Sequence, residues 1–158
     1  MFKNVPLRRS GLNPTEEHHK IVKLIMKFAL HHHLVSFVLK KKNNIEISSA
    51  NIVRKNRSDF EIKKDIVQKL YGKQVSENLF EHKIDLSSIH CSLNILLTKL
   101  SKKMSGKTLV LFINDRLVEC ESIKKAVQSA YMECVLGVHD LNGEFFCYID
   151  MKIKKEYI

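Results

Sequence analysis

The sequence predicts an α+β protein, a mixed sheet with helices packed on one face. Three segments place apolar residues at helical spacing behind capping residues, and the stretches between and after them read as strands. The resulting order, α-β-β-α-β-β-α-β, has too few helices between strands for a doubly wound fold and too many for a sandwich.

The first helix starts at Asn13-Pro14-Thr15-Glu16. Asn13 caps, Pro14 fits the first turn where no N–H is needed, and Glu16 can close a capping box. Ile21, Leu24, Ile25, Phe28 and Ala29 give it a buried face, and it fades at His31 to His33. Leu34 to Lys40 and Ile45 to Ser48, rich in β-formers and parted by Asn43-Asn44, read as a hairpin. Ser58-Asp59-Phe60-Glu61 opens a second helix carrying Ile62, Ile66, Val67 and Leu70, with Gly72 as its left-handed stop.

From Ile84 onward, Leu93, Ile95 and Leu97 alternate with Ser92, Asn94 and Thr98 as in a half-buried strand. Thr108 to Ile113 is continuously apolar, as a central strand is, and Asn114-Asp115-Arg116 turns the chain into a short continuation, Leu117 to Cys120. Ile123, Ala126, Val127, Ala130, Tyr131 and Cys134 define the buried face of a third helix, with Lys124 and Lys125 on or beside its exposed side. After a loop at Gly137 to Gly143, a last strand runs from Phe145 to Ile153, with odd and even positions on opposite faces.

At 158 residues the chain has room for one ordinary domain or for a piece of a larger protein. With 44% hydrophobic and 28% charged residues, five Gly and two Pro, it is neither a disordered tail nor a Gly/Pro-rich linker. A formal net charge of +10 makes an acidic partner, nucleic acid first, a reasonable expectation. The excess is mostly lysine, however, and runs such as Lys40 to Lys42 are more often solvated faces; abundant Lys, Asn and Ile also fit an AT-rich genome. Cys91, Cys120, Cys134 and Cys147 form no C-x-x-C pair, which points to a reducing, intracellular setting, and no apolar run is long enough to span a bilayer.

No catalytic constellation emerges. Ser105-Gly106-Lys107-Thr108 ends like a phosphate loop, but Ser101 stands where the first glycine belongs and the segment leads into a strand rather than a helix. His18, His19 and His31 to His33 offer no metal-binding spacing, and Cys120 has no histidine nearby in sequence.

Two segments carry a resemblance. Phe2 to Arg9, followed by Asn13-Pro14-Thr15-Glu16-Glu17, is similar to the L-F-Y-N-x-P-x-R-R-K region of the MutL family of mismatch-repair proteins, with Met1 in place of Leu and Lys3 in place of the aromatic residue. Leu111-Phe112-Ile113-Asn114-Asp115-Arg116-Leu117-Val118-Glu119 resembles the family's F-I-N-x-R-x-V strand and turn, and the wording is most like the MutL homologue 1 branch. The resemblance covers the whole chain. It implies a transducer domain with a fold similar to domain 2 of ribosomal protein S5, residues 1–12 being an inter-domain connector and 13–158 the α+β domain.

It further implies that the parent is a GHKL-type ATPase whose ATP and Mg²⁺ site precedes Met1, with a contributing lysine beyond Ile158. The chain itself would hold no cofactor or metal site and would not be an enzyme alone. It would couple ATP binding and hydrolysis to double-stranded DNA and to a second MutL homologue in a heterodimer, alongside a mismatch-recognising MutS homologue, in the nucleus and away from membranes. By the same resemblance, Asn4, Pro6, Arg8 and Arg9 relay nucleotide state, Asn114 and Arg116 stabilise a turn by side-chain to backbone bonds, and Lys124 and Lys125 meet DNA. The alternatives are a stand-alone S5-like RNA-binding module and an interaction scaffold whose charge reflects genome composition.

Overall fold

A computed structural model describes residue 11 and residues 13–100, 106–135 and 144–154. The chain divides into two compact units, Met1–Asn51 and Ile52–Ile158.

In the first unit, α1 (Pro14–His31) begins where Asn13 Oδ1 accepts from the backbone N–H groups of Thr15 at 3.1 Å and Glu16 at 3.5 Å. The Glu16 carboxylate answers the Asn13 side-chain amide at 3.2 Å, not its backbone N–H, so the expected reciprocal box is made side chain to side chain. The expected apolar face is buried only at its C-terminal end: Ala29 and Leu30 are buried, whereas Ile21 and Leu24 are exposed. Strands β1 (Val38–Lys41) and β2 (Asn44–Ser48) form the antiparallel hairpin. Its base is closed by Ser49, whose N–H donates to Phe37 O and whose Oγ accepts from Phe37 N–H. His18 on α1 meets Glu46 on β2 at 2.7 Å.

The second unit opens with α2 (Asp59–Leu70), capped by a complete box in which Ser58 and Glu61 satisfy each other's backbone N–H. Gly72, at φ 104°, ends it and donates to Val67 O, and the sequence then makes a short helix, α3 (Lys73–Glu77). Strand β3 (Leu79–Leu86) follows, then β4 (Cys91–Thr98), β5 (Lys107–Ile113), β6 (Arg116–Leu117), helix α4 (Glu121–Val135) and β7 (Phe145–Ile153). The single strand expected from Ile84 to Thr98 is thus two, β3 and β4, joined through a 3₁₀ turn at Ser87–Ile89 and a left-handed His90.

The sheet order is β3-β4-β7-β5-β6. β7 runs antiparallel to β4 and parallel to β5, so the sheet is mixed, and α4 is the crossover between the parallel pair. The α+β class and the mixed sheet are as expected; the placement of helices on one face is not. Phe145, Phe146, Cys147, Tyr148 and Ile149 are all buried, and consecutive strand residues face opposite sides, so both faces need cover. Phe146 meets Tyr71, at the end of α2, edge-on at 4.7 Å; its neighbour Phe145 stacks on Tyr131 of α4 at 4.6 Å. Helix α2 therefore covers one face and α4 the other, where Ile123, Val127 and Tyr131 pack on Leu111, Phe145, Cys147 and Ile149.

Candidate functional site

The turn after β5 is where the recognisable residues converge on the rest of the sheet. Asn114 and Asp115 both take left-handed conformations, φ 46° and 64°, the backbone of a tight turn linking β5 to β6. Asn and Asp are among the few residues other than glycine that adopt it readily. The parallel register of β5 and β7 ends at Ile113 opposite Met151. Asn114 continues it: its N–H donates to Met151 O at 2.9 Å, its Nδ2 donates to Ile153 O at 3.0 Å, and its Oδ1 accepts from Ile153 N–H at 2.9 Å. The carboxamide thereby acts as one more peptide group in the ladder. The side-chain to backbone bonds expected of Asn114 exist, but they hold the far strand and not the turn itself. Asp115 adds an ion pair to Lys152, next to Ile153. Arg116 is exposed.

The other end of β7 is held in the same manner by a residue that the alternation set with Ser92 and Asn94 on the polar side of a half-buried strand. Thr98 is buried at the end of β4; its Oγ1 accepts from Phe146 N–H at 3.0 Å and donates to Phe146 O at 3.3 Å. The Thr98 carbonyl in turn accepts from the Tyr131 hydroxyl at 2.8 Å, tying α4 to the same point. One bidentate side chain at each end therefore fixes the strand that leads toward the chain's last residues.

On the α2 side of the sheet, Lys63 is 4% exposed and places its ammonium 5.2 Å from the centre of the Tyr148 ring. Burial lowers its pKa from the usual 10.5, against the opposing pull of Asp150, Glu81 and Asp59. Since the folded pKa lies below the unfolded one, the unfolded chain holds more protons between the two values. Stability contributed by this site therefore rises with pH across that window, up to 10.5. Comparing the wild type with Lys63→Met by denaturant titration, the difference should shift in favour of the wild type as pH climbs through it; a constant difference contradicts this. The sequence signal was the i, i+4 relation of Lys63 to Val67, which puts the lysine on the buried stripe.

Two further groups complete the electrostatics. For Lys152, burial pulls the pKa down, but its bonds to Asp115 and Asp150 outweigh this and hold the ammonium above its usual range. Cys147 is pushed up to about 12 by burial, so its thiol is an inert core group.

Helix α4 carries the expected basic pair. With Ile123, Val127 and Tyr131 packed inward, Lys124 and Lys125 are both exposed. Lys124 is already engaged by Glu121 one turn earlier at 3.1 Å. Asn4, Pro6, Arg8 and Arg9 lie outside the described residues. Gly106, at φ 90°, sits at the start of β5, so the Gly-Lys-Thr sequence begins a strand and forms no phosphate-binding helix terminus.

The family model for "DNA mismatch repair protein, C-terminal domain" matches residues 67–158, more than half of the chain. The chain belongs to this mismatch-repair family. Among relatives, it is 27% identical over 162 residues to the putative MutL protein homolog 1 of Schizosaccharomyces pombe, covering all of this chain and 22% of that protein. It is 28% identical over 155 residues to the mismatch repair protein Mlh1 of Dictyostelium discoideum, covering 83% of this chain and 17% of that one. The chain thus spans about a fifth of the length of these relatives. The MutL resemblance, with its homologue 1 character, agrees with both.

The fold is that of solved MutL structures. The Aquifex aeolicus MutL ATPase domain complexed with ADP superposes with a TM-score of 0.57 at 20% identity, over 95% of this chain and 49% of that one. A variant of the same domain gives 0.59 at 19%, over 97% and 49%. The described mixed sheet with its helices has the S5-like fold that the motifs implied.

Proposed function

We propose that this mismatch-repair chain is a transducer module, which couples nucleotide-driven closure of a MutL-type ATPase to double-stranded DNA and to a partner subunit. The observation that carries it is the Leu111–Glu119 motif: it forms the β5 turn whose Asn114 grips the end of β7, joining the recognised motif to the last described strand. In this reading strand and turn serve coupling rather than catalysis, and ATP and Mg²⁺ would be bound by other parts of the parent.

DNA contact falls to α4. The ammonium groups of Lys124 and Lys125 act on phosphates as sequence-independent point charges. Because the exposed Glu121 carboxylate competes with phosphate for Lys124, Lys125 is the stronger contact. Lys125→Glu should weaken binding of the 158-residue chain to a short DNA duplex about tenfold at low salt, and Lys124→Glu by less. Anisotropy titrations that leave both variants at wild-type affinity contradict the assignment. Family identity supports a second MutL homologue as partner; a mismatch-recognising MutS homologue and a nuclear site of action complete the proposal.

A further inference from the structure

Among the described residues, strand β3 stands at the edge of the sheet, paired with β4 on one side along its whole length, from Leu79 opposite Thr98 to Leu86 opposite Cys91. Alternate residues therefore turn their N–H and C=O groups away from the sheet. Edges of this length are usually short-circuited by like charges or bulges, but here the charges have a different pattern. Read antiparallel against itself about His82, the strand places Glu81 opposite Lys83 and Phe80 opposite Ile84, each pair occurring twice.

Neighbouring registers fail. An axis between His82 and Lys83 sets Phe80 against Asp85 and Glu81 against Ile84, and an axis at Lys83 sets Glu81 against Asp85. The His82 axis alone among these matches both central pairs, apolar with apolar and acid with base, and leaves Leu79 opposite Asp85 only at the ends. The faces agree as well: Phe80, His82 and Ile84 share the side of Leu97, Ile95 and Leu93, while Glu81 and Lys83 share that of Leu96 and Asn94. Phe80 is 38% exposed, an apolar ring at an open edge. Glu81 and Lys83 lie on one face, 3.4 Å apart along their own strand, and Glu81 also accepts from Asn94 Nδ2 at 3.0 Å.

We propose that β3 is a self-association edge, on which two copies of the chain pair antiparallel about His82 with reciprocal Glu81–Lys83 ion pairs and Phe80 against Ile84. The contact is isologous and closes on itself, joining the two sheets into one. It stands independently of the DNA reading.

Sedimentation velocity on the 158-residue chain at low salt tests it. The wild type should show a concentration-dependent dimer. Lys83→Glu sets carboxylate against carboxylate at both pairs and should weaken the dimer about tenfold, and adding Glu81→Lys should restore it, because complementary charges return with their positions exchanged. Circular dichroism checks that each variant is folded. A covalent readout is independent of charge: directly opposed Cα atoms lie within disulfide range. In a chain also carrying Cys134→Ser, which removes an exposed thiol, His82→Cys treated with oxidised glutathione should yield a disulfide-linked dimer, the two thiols giving up their protons and two electrons to the glutathione disulfide. A wild type that stays monomeric, a dimer indifferent to Lys83→Glu, or an absent cross-link at position 82 would each overturn the proposal.

Discussion

Asn114→Ala should lower the stability of the protein by about 3 kcal/mol. Two effects add. Ile153 loses the donor to its carbonyl and the acceptor for its N–H, leaving these partly buried peptide groups without the partners Asn114 supplies. Alanine must also occupy φ 46°, where its Cβ crowds the following carbonyl. Asn114→Gly separates the two: it accepts the left-handed backbone and keeps only the hydrogen-bond loss, so it should be roughly 1 kcal/mol more stable than the alanine variant. Denaturant midpoints measure both, and hydrogen exchange at the Ile153 amide should accelerate in each. Equal stabilities for the wild type and Asn114→Ala would mean that the carboxamide does not hold β7.

Thr98→Val is the corresponding test at the other end, and it should cost about 2 to 4 kcal/mol despite preserving shape. The hydroxyl serves Phe146 as both acceptor and donor in a buried position, and valine leaves both backbone groups unpaired. Thr98→Ser retains the hydroxyl and should cost only about 1 kcal/mol for the lost methyl. If valine and serine cost the same, packing and not hydrogen bonding explains why Thr98 is buried.

The two ends of β7 also show what the sequence makes legible. Local signals are readable because the interacting groups lie within a turn of one another: Asn13 ahead of α1, Ser58 with Glu61 at α2, and the Gly72 stop are all present. Asn114 is recognisable as a turn residue, but the groups it bonds lie 39 residues away, and Thr98 is 48 residues from Phe146. No spacing rule connects them.

Strand β3 escapes for a different reason. An edge strand needs only one buried face, and here His82 interrupts the alternation of Phe80, Ile84 and Leu86 with Glu81, Lys83 and Asp85. Its start also follows α3, which has no side-chain cap to announce it. The two-sided cover of the sheet is legible in β7, where odd and even positions are both apolar. Phe146 and Tyr148 are as apolar as Phe145 and Cys147, and polar residues enter only from Asp150 onward. The candidate interface is legible in part: the Lys124 and Lys125 positions on α4 follow from periodicity, whereas the Glu121 contact that ranks them comes from the structure. A buried lysine among Ile62, Ile66 and Val67 is the least expected feature, because charge ordinarily places a residue outside.

The central claim is that this mismatch-repair module meets duplex DNA through the exposed face of α4. Its most direct test is the salt dependence of duplex binding by the wild type and by the Lys124→Glu, Lys125→Glu double variant. Each phosphate contact contributes about 0.9 to the slope of log affinity against log salt. The account predicts a measurable wild-type slope that flattens by up to about 1.8 in the double variant, with the fold unchanged by circular dichroism. Identical slopes and affinities in the two proteins would contradict it.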